Sequence, residues 1–181
     1  MKIKKENTAL LVIDMQEKLL PAIENSDELI KNCEILIKGC KVLGIPIIST
    51  EHYPKGLGKT NQTIAANISN INPIEKREFS CFENAEIKAK LEAIGKRYII
   101  VAGIEAHICV QQTVLDLMDE DFKPIVIANC VSSRNSYDKK FALKRLRDYG
   151  ADITTVEAIL FEMLVTSTAP EFKAISELIK N

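Results

Sequence analysis

A short apolar run followed by a stretch of helical periodicity recurs along this chain, and that alternation restricts the fold more than any other feature. Residues 8–13 (TALLVI) are nearly continuously apolar, as a strand buried on both faces requires. Residues 26–43 place Leu29, Ile30, Cys33, Leu36, Ile37, Cys40 and Leu43 on one helical face, with Ser26 expected as N-cap and Gly44 as terminator. Residues 45–50 (IPIIST) read as the next strand, and a polar, glycine-bearing loop, EHYPKGLGKTNQ, follows. Beyond a weakly patterned middle, 84–94 is helical, 98–102 (YIIVA) a strand, 106–118 a helix and 124–128 (PIVIA) a strand. A helix over 136–149, a last strand over 152–156 and two C-terminal helices complete the chain. Strand starts at Tyr98, Pro124 and Asp152 lie 26 and 28 residues apart, the length of a βαβ unit. Right-handed crossovers then predict one domain over 1–181: a three-layer α/β/α fold with a central, mostly parallel sheet.

In such sheets reactive groups gather at the carboxyl ends of the strands. Asp14 follows the first strand directly, where a carboxylate either caps a turn or needs a charged partner. Cys109 falls in the first turn of the helix after 98–102; backbone N–H groups there favour a thiolate, although a free cysteine also fills core space well. Lys76, or Arg77 beside it, is a cation able to lower a nearby thiol's pKa.

Composition excludes several classes. With 24 basic and 25 acidic residues the net charge is −1, so no bulk field draws the chain to nucleic acid or a membrane. Lys139, Lys140, Lys144, Arg145 and Arg147 have the spacing of a solvated helix face. The apolar run at 9–13 is too short for a secretory signal core, and no run reaches membrane-helix length. Five cysteines, an odd number without a CxxC pair, fit a reducing compartment, and a soluble, cytoplasmic protein is expected. His52 and His107 are too scattered for a zinc site. GLGKT suggests a phosphate loop, but that pattern needs glycine where Tyr53 stands.

In order along the chain, LLVIDMQ, KREFS and GIEAHICV resemble the isochorismatase-like cysteine hydrolases, over nearly the whole length. TEHYPKGLG, ANCVSSR and PEFKAIS are similar to a subgroup of small isochorismatase domain proteins. The resemblance implies that Asp14, Lys76 and Cys109 form a base–cation–nucleophile triad. It also implies a cis peptide between Ile104 and Glu105, and an oxyanion hole from the backbone N–H groups of Glu105 and Cys109. The implied reaction is hydrolysis of a small C–N (amide-type) substrate through a thioester. Vinyl-ether hydrolysis of the isochorismate type, a non-catalytic interaction module and a thiol-redox role are the alternatives. A redox role would need Cys81 or Cys130 as resolving thiol, and Cys81 reads better as core filler. Metal-binding relatives carry an Asp and histidines after the second strand; here His52 has no partner histidine, so no metal or cofactor and no efficient nicotinamidase activity are expected. Ala106 and Asn129 depart from the Thr or Ser and the Asp that many members carry. Gln16, Tyr53, Phe79 and Ile104 are weaker candidates for the pocket wall. Expected partners are a small-molecule substrate and further copies of the chain in a homo-oligomer, with no nucleic acid and no membrane.

Overall fold

The structure, a computed structural model, describes residues 2–68 and 72–180. Six strands form one sheet: β1 (Thr8–Ile13), β2 (Ile47–His52), β3 (Ile74–Lys76), β4 (Tyr98–Ile104), β5 (Lys123–Ser132) and β6 (Asp152–Thr154). Their order is β3-β2-β1-β4-β5-β6 and every pairing is parallel. The helices are α1 (Ser26–Val42), α2 (Pro54–Leu57), α3 (Gln62–Asn67), α4 (Ala85–Ile94), α5 (Gln111–Asp119), α6 (Ser136–Asp148), α7 (Val156–Leu164) and α8 (Phe172–Lys180).

All six residues of β1 are buried, which is why its sequence is apolar throughout rather than alternating. Val12, Ile100 and Ile127 face a core shared with α1, α3, α7 and α8. Leu11, Ile99 and Val126 face a second core shared with α4, α5 and α6. The sheet therefore separates the cysteines: Cys33, Cys40 and Cys130 lie in the first core, Cys81 and Cys109 in the second. Strand order reverses between β1 and β4, and this is where a doubly wound sheet opens a crevice at its carboxyl edge.

Several local expectations are corrected. The residue before α1 is Asn25, in the left-handed region with no side-chain cap, so Ser26 is the first helical residue rather than the N-cap. β2 runs two residues later than its apolar stretch suggested, because pairing to β3 carries it through Thr50 to His52. The weakly patterned middle contains α3 and β3; a three-residue strand is too short to display any periodicity. The expected helix over 106–118 begins as a π-turn, Ala106–Val110, in which the Val110 N–H reaches back to the Glu105 carbonyl at 3.2 Å, and α5 starts only at Gln111.

At the reversal point β4 passes very close to the end of β1. Gly103 has φ +122, and a Cβ placed on it would sit 2.0 Å from the Ile13 carbonyl oxygen. Only glycine fits, for both reasons. Gly44, at φ +68 beyond α1, has open space around it. Gly103→Ala is therefore expected to cost more than about 3 kcal/mol, against about 1–2 kcal/mol for Gly44→Ala, in urea unfolding of the two variants.

Candidate active site

The chain leaves β1 at Asp14 with φ +51, an uncommon conformation for a residue with a side chain. That turn brings the carboxylate back over the sheet edge. Lys76 ends β3, two strands away, and both side chains are almost wholly buried. Lys76 Nζ lies 2.7 Å from Asp14 Oδ2 and 3.6 Å from Cys109 Sγ. The same ammonium donates to the carbonyls of Glu78 (3.1 Å) and Phe79 (3.4 Å), so the loop after β3 folds around it. Asp14 Oδ1 accepts the Thr50 hydroxyl at 2.7 Å. Oδ2 has the ion pair but no hydrogen bond of good geometry, which leaves it a buried acceptor with spare capacity.

Sequence reasoning thus named three residues that the fold brings into one cluster from β1, β3 and the turn after β4. The electrostatics differ from expectation at one of them. Burial pushes the Cys109 thiol up to about 12, and the Asp14 charge adds to the rise; Lys76 pulls the other way and is outweighed. Burial and the neighbouring carboxylate both favour the neutral thiol over a thiolate here. Burial also works to discharge Lys76, but the charge and hydrogen bond of Asp14 oppose it, and the ammonium ends above its usual range. Cys109 is 7% exposed while the other four cysteines show no exposure, so it alone among them is reachable.

The Ile104–Glu105 peptide is cis. The Glu105 carboxylate accepts the Arg134 backbone N–H at 3.0 Å and its Nε–H at 3.0 and 3.1 Å, which ties the start of the Cys109 turn to the loop after β5. His107 Nδ1 lies 2.9 Å from the Ser133 hydroxyl and ties the same turn a second time.

The weaker pocket candidates divide. Gln16 is fully buried and acts as a strap: its amide donates to the His52 and Gly58 carbonyls at 3.0 and 2.7 Å and accepts the His52 N–H at 2.7 Å. This strap and the Thr60–Glu51 bonds account for the GLGKT segment, which is packing rather than a phosphate loop. The Ile104 side chain lies in the core under α1. Phe79 is 54% exposed and stacks on the His52 ring at 5.7 Å. Tyr53 is covered by the Arg77 guanidinium at 3.8 Å, so Arg77 is not the cation of the cluster. The Asn129 amide oxygen accepts the Val156 N–H at 3.0 Å, a structural use. Among the described residues no group of three or more His, Cys, Asp or Glu side chains is placed to hold a metal, and no helix is long and apolar enough to cross a membrane. Thr50, Thr113 and Arg134 were not legible as site residues, since a lone hydroxyl or an exposed arginine carries no motif.

A doubly wound sheet with a buried carboxylate, ammonium and thiol at its reversal point is the architecture of an isochorismatase-like hydrolase. The isochorismatase domain model matches residues 8–158, and the chain belongs to that family. Isochorismatase domain-containing protein 1 of Danio rerio is 39% identical over 92% of this chain, which spans only 59% of that relative's length. The solved MAR1 ribonuclease of Caenorhabditis elegans superposes with a TM-score of 0.94 and 36% identity, covering 100% of this chain and 93% of that one. The fold also matches the YcaC gene product of Escherichia coli, an octameric hydrolase of unknown specificity, with a TM-score of 0.93 and 21% identity over 99% and 89% of the two chains.

Replacing Lys76 by methionine would leave the Asp14 carboxylate buried without its counter-ion. A loss of about 3–5 kcal/mol is expected in chemical denaturation. Combining Lys76→Met with Asp14→Asn should recover most of that loss, because no isolated charge then remains.

Proposed function

We propose that the chain is a cysteine hydrolase of a small amide-type substrate, with Asp14 as base, Lys76 as electrostatic stabiliser and Cys109 as nucleophile. The observation that carries this reading is the single ammonium set between Asp14 Oδ2 and Cys109 Sγ at 2.7 and 3.6 Å. Because its surroundings favour the neutral thiol, its proton leaves as attack begins. Asp14 Oδ2 takes that proton while sulfur bonds to the substrate carbonyl, and Lys76 holds the charge that passes through sulfur. The tetrahedral oxyanion rests on the N–H groups of Glu105 and Cys109. Collapse expels the amine, which takes the proton back from Asp14 and leaves a thioester on Cys109. Water, deprotonated by Asp14, attacks that thioester; the acid departs and the thiol is restored. No step uses a metal or cofactor.

A neutral acyl substrate fits the charges better than RNA, although the Caenorhabditis elegans relative is named a ribonuclease. Lys76 is committed to Asp14 and Cys109, and Arg134 to Glu105, so neither cation is free to take a phosphate. Five free, buried cysteines support a cytoplasmic location. Stacked, exposed Tyr137 and Phe141 on α6 offer an apolar surface for the homo-oligomer, in keeping with the octameric fold relative.

The test is a panel of small primary and secondary amides, with isochorismate and single-stranded RNA beside them, on protein whose mass is measured by light scattering. Amide turnover with an acyl adduct on Cys109 is expected, abolished in Cys109→Ala and reduced about 10²–10⁴-fold in Asp14→Asn. Full activity of Cys109→Ala on isochorismate or RNA would overturn the reading, and a monomer mass of 20.2 kDa would remove the oligomer.

A further inference from the structure

We infer that Thr50 is a positioning residue: its hydroxyl holds Asp14 Oδ1 so that Oδ2 alone is presented to the amine and the thiol. This rests on the reading of Asp14 as the base that serves Cys109. Asp14 lies just past the end of β1 in a left-handed conformation, beyond the strand ladder that fixes its neighbours. Thr50, on the adjacent β2, holds it at two points. The Thr50 carbonyl accepts the Asp14 backbone N–H at 3.3 Å, and the Thr50 hydroxyl donates to Oδ1 at 2.7 Å. Thr50 is fully buried, so water does not compete for either bond.

A hydroxyl has one proton to give. With that proton on Asp14, the contact between Thr50 Oγ1 and Cys81 Sγ at 4.0 Å requires Cys81 to be the donor. A donor thiol is a protonated thiol, and burial does hold Cys81 in that form. The Cys81 N–H donates in turn to Thr113 Oγ1 on α5 at 2.8 Å. A buried chain of residues thus runs from α5 through Cys81 and Thr50 to the carboxylate. It gives the second thiol near the site a role that the proposed chemistry leaves open. Without the Thr50 proton the carboxylate could rotate, and both of its oxygens would compete for Lys76.

The other ionisable groups facing Asp14 are Lys76 on β3, Cys109 on the π-turn, Cys81 on the loop after β3 and His52 at the end of β2. Thr50→Val removes none of them and keeps the branched shape of the side chain.

The experiment reads amide kcat and KM in wild type, Thr50→Val, Thr50→Ser and Asp14→Asn. In Thr50→Val, kcat should fall about ten- to hundred-fold at unchanged KM, and Thr50→Ser should restore it to within about threefold of wild type. A kcat that Thr50→Val leaves in place, or a Thr50→Ser variant no better than Thr50→Val, overturns the role of Thr50 while the reading of Asp14 stands. A wild type without amide turnover, or Asp14→Asn with wild-type kcat, overturns both. Should Thr50→Val fail to fold, Thr50→Ala removes the same proton and is read in the same way.

Discussion

Between β1 and β3 a carboxylate and an ammonium face each other at 2.7 Å with almost no access to water, and the rest of the site is arranged around the cost of keeping both charged. Removing two such ions from water costs several kcal/mol each after relaxation, and their mutual attraction offsets that only when the remaining donors and acceptors are also satisfied. Here they nearly are. Two loop carbonyls and the Cys109 sulfur take up the ammonium, and the Thr50 hydroxyl takes one carboxylate oxygen. The oxygen left over is Oδ2, the atom beside the amine. A polar group that the fold could have satisfied and did not is a common mark of a site built for chemistry.

The parts of this arrangement legible in the sequence are those with a local signature. Buried parallel strands announce themselves as apolar runs, so β1, β4 and the first half of β5 were plain, as was the α1 face that carries Cys33 and Cys40. Asp14 and Cys109 stood out because each follows such a run. Lys76 had no local signature at all: its strand is three residues long, and only its resemblance to a family motif singled it out. Thr50 and Arg134 were invisible because their roles lie entirely in what they touch across the sheet. The π-turn was missed for a related reason. Helical periodicity over five residues does not distinguish a wider turn from an α-turn.

The state of the thiol follows from the same burial that makes the ion pair strong. Sequence position alone suggested a thiolate favoured by a helix terminus and a cation. The fold instead places the sulfur beside a carboxylate and away from solvent, and both effects favour the protonated form. In the proposed mechanism proton transfer and bond formation are then linked: the thiolate forms only as a carbonyl receives it. A thiol held in this form is protected from casual oxidation, and the sheet keeps Cys130 in the opposite core.

Lys76 stands on the edge strand of the sheet. β3 pairs with β2 alone, over three residues, whereas β1 and β4 each have neighbours on both sides. Edge strands with few ladder bonds open by local fluctuation at a smaller free-energy cost than the whole domain. The counter-ion of Asp14 is thus carried by one of the two short edge strands of the sheet, β6 being the other. The electrostatic arrangement around Cys109 is accordingly less durable than the core beneath it, so gentle warming or mild denaturant would draw Lys76 away from Asp14 and Cys109 while the other five strands remained folded.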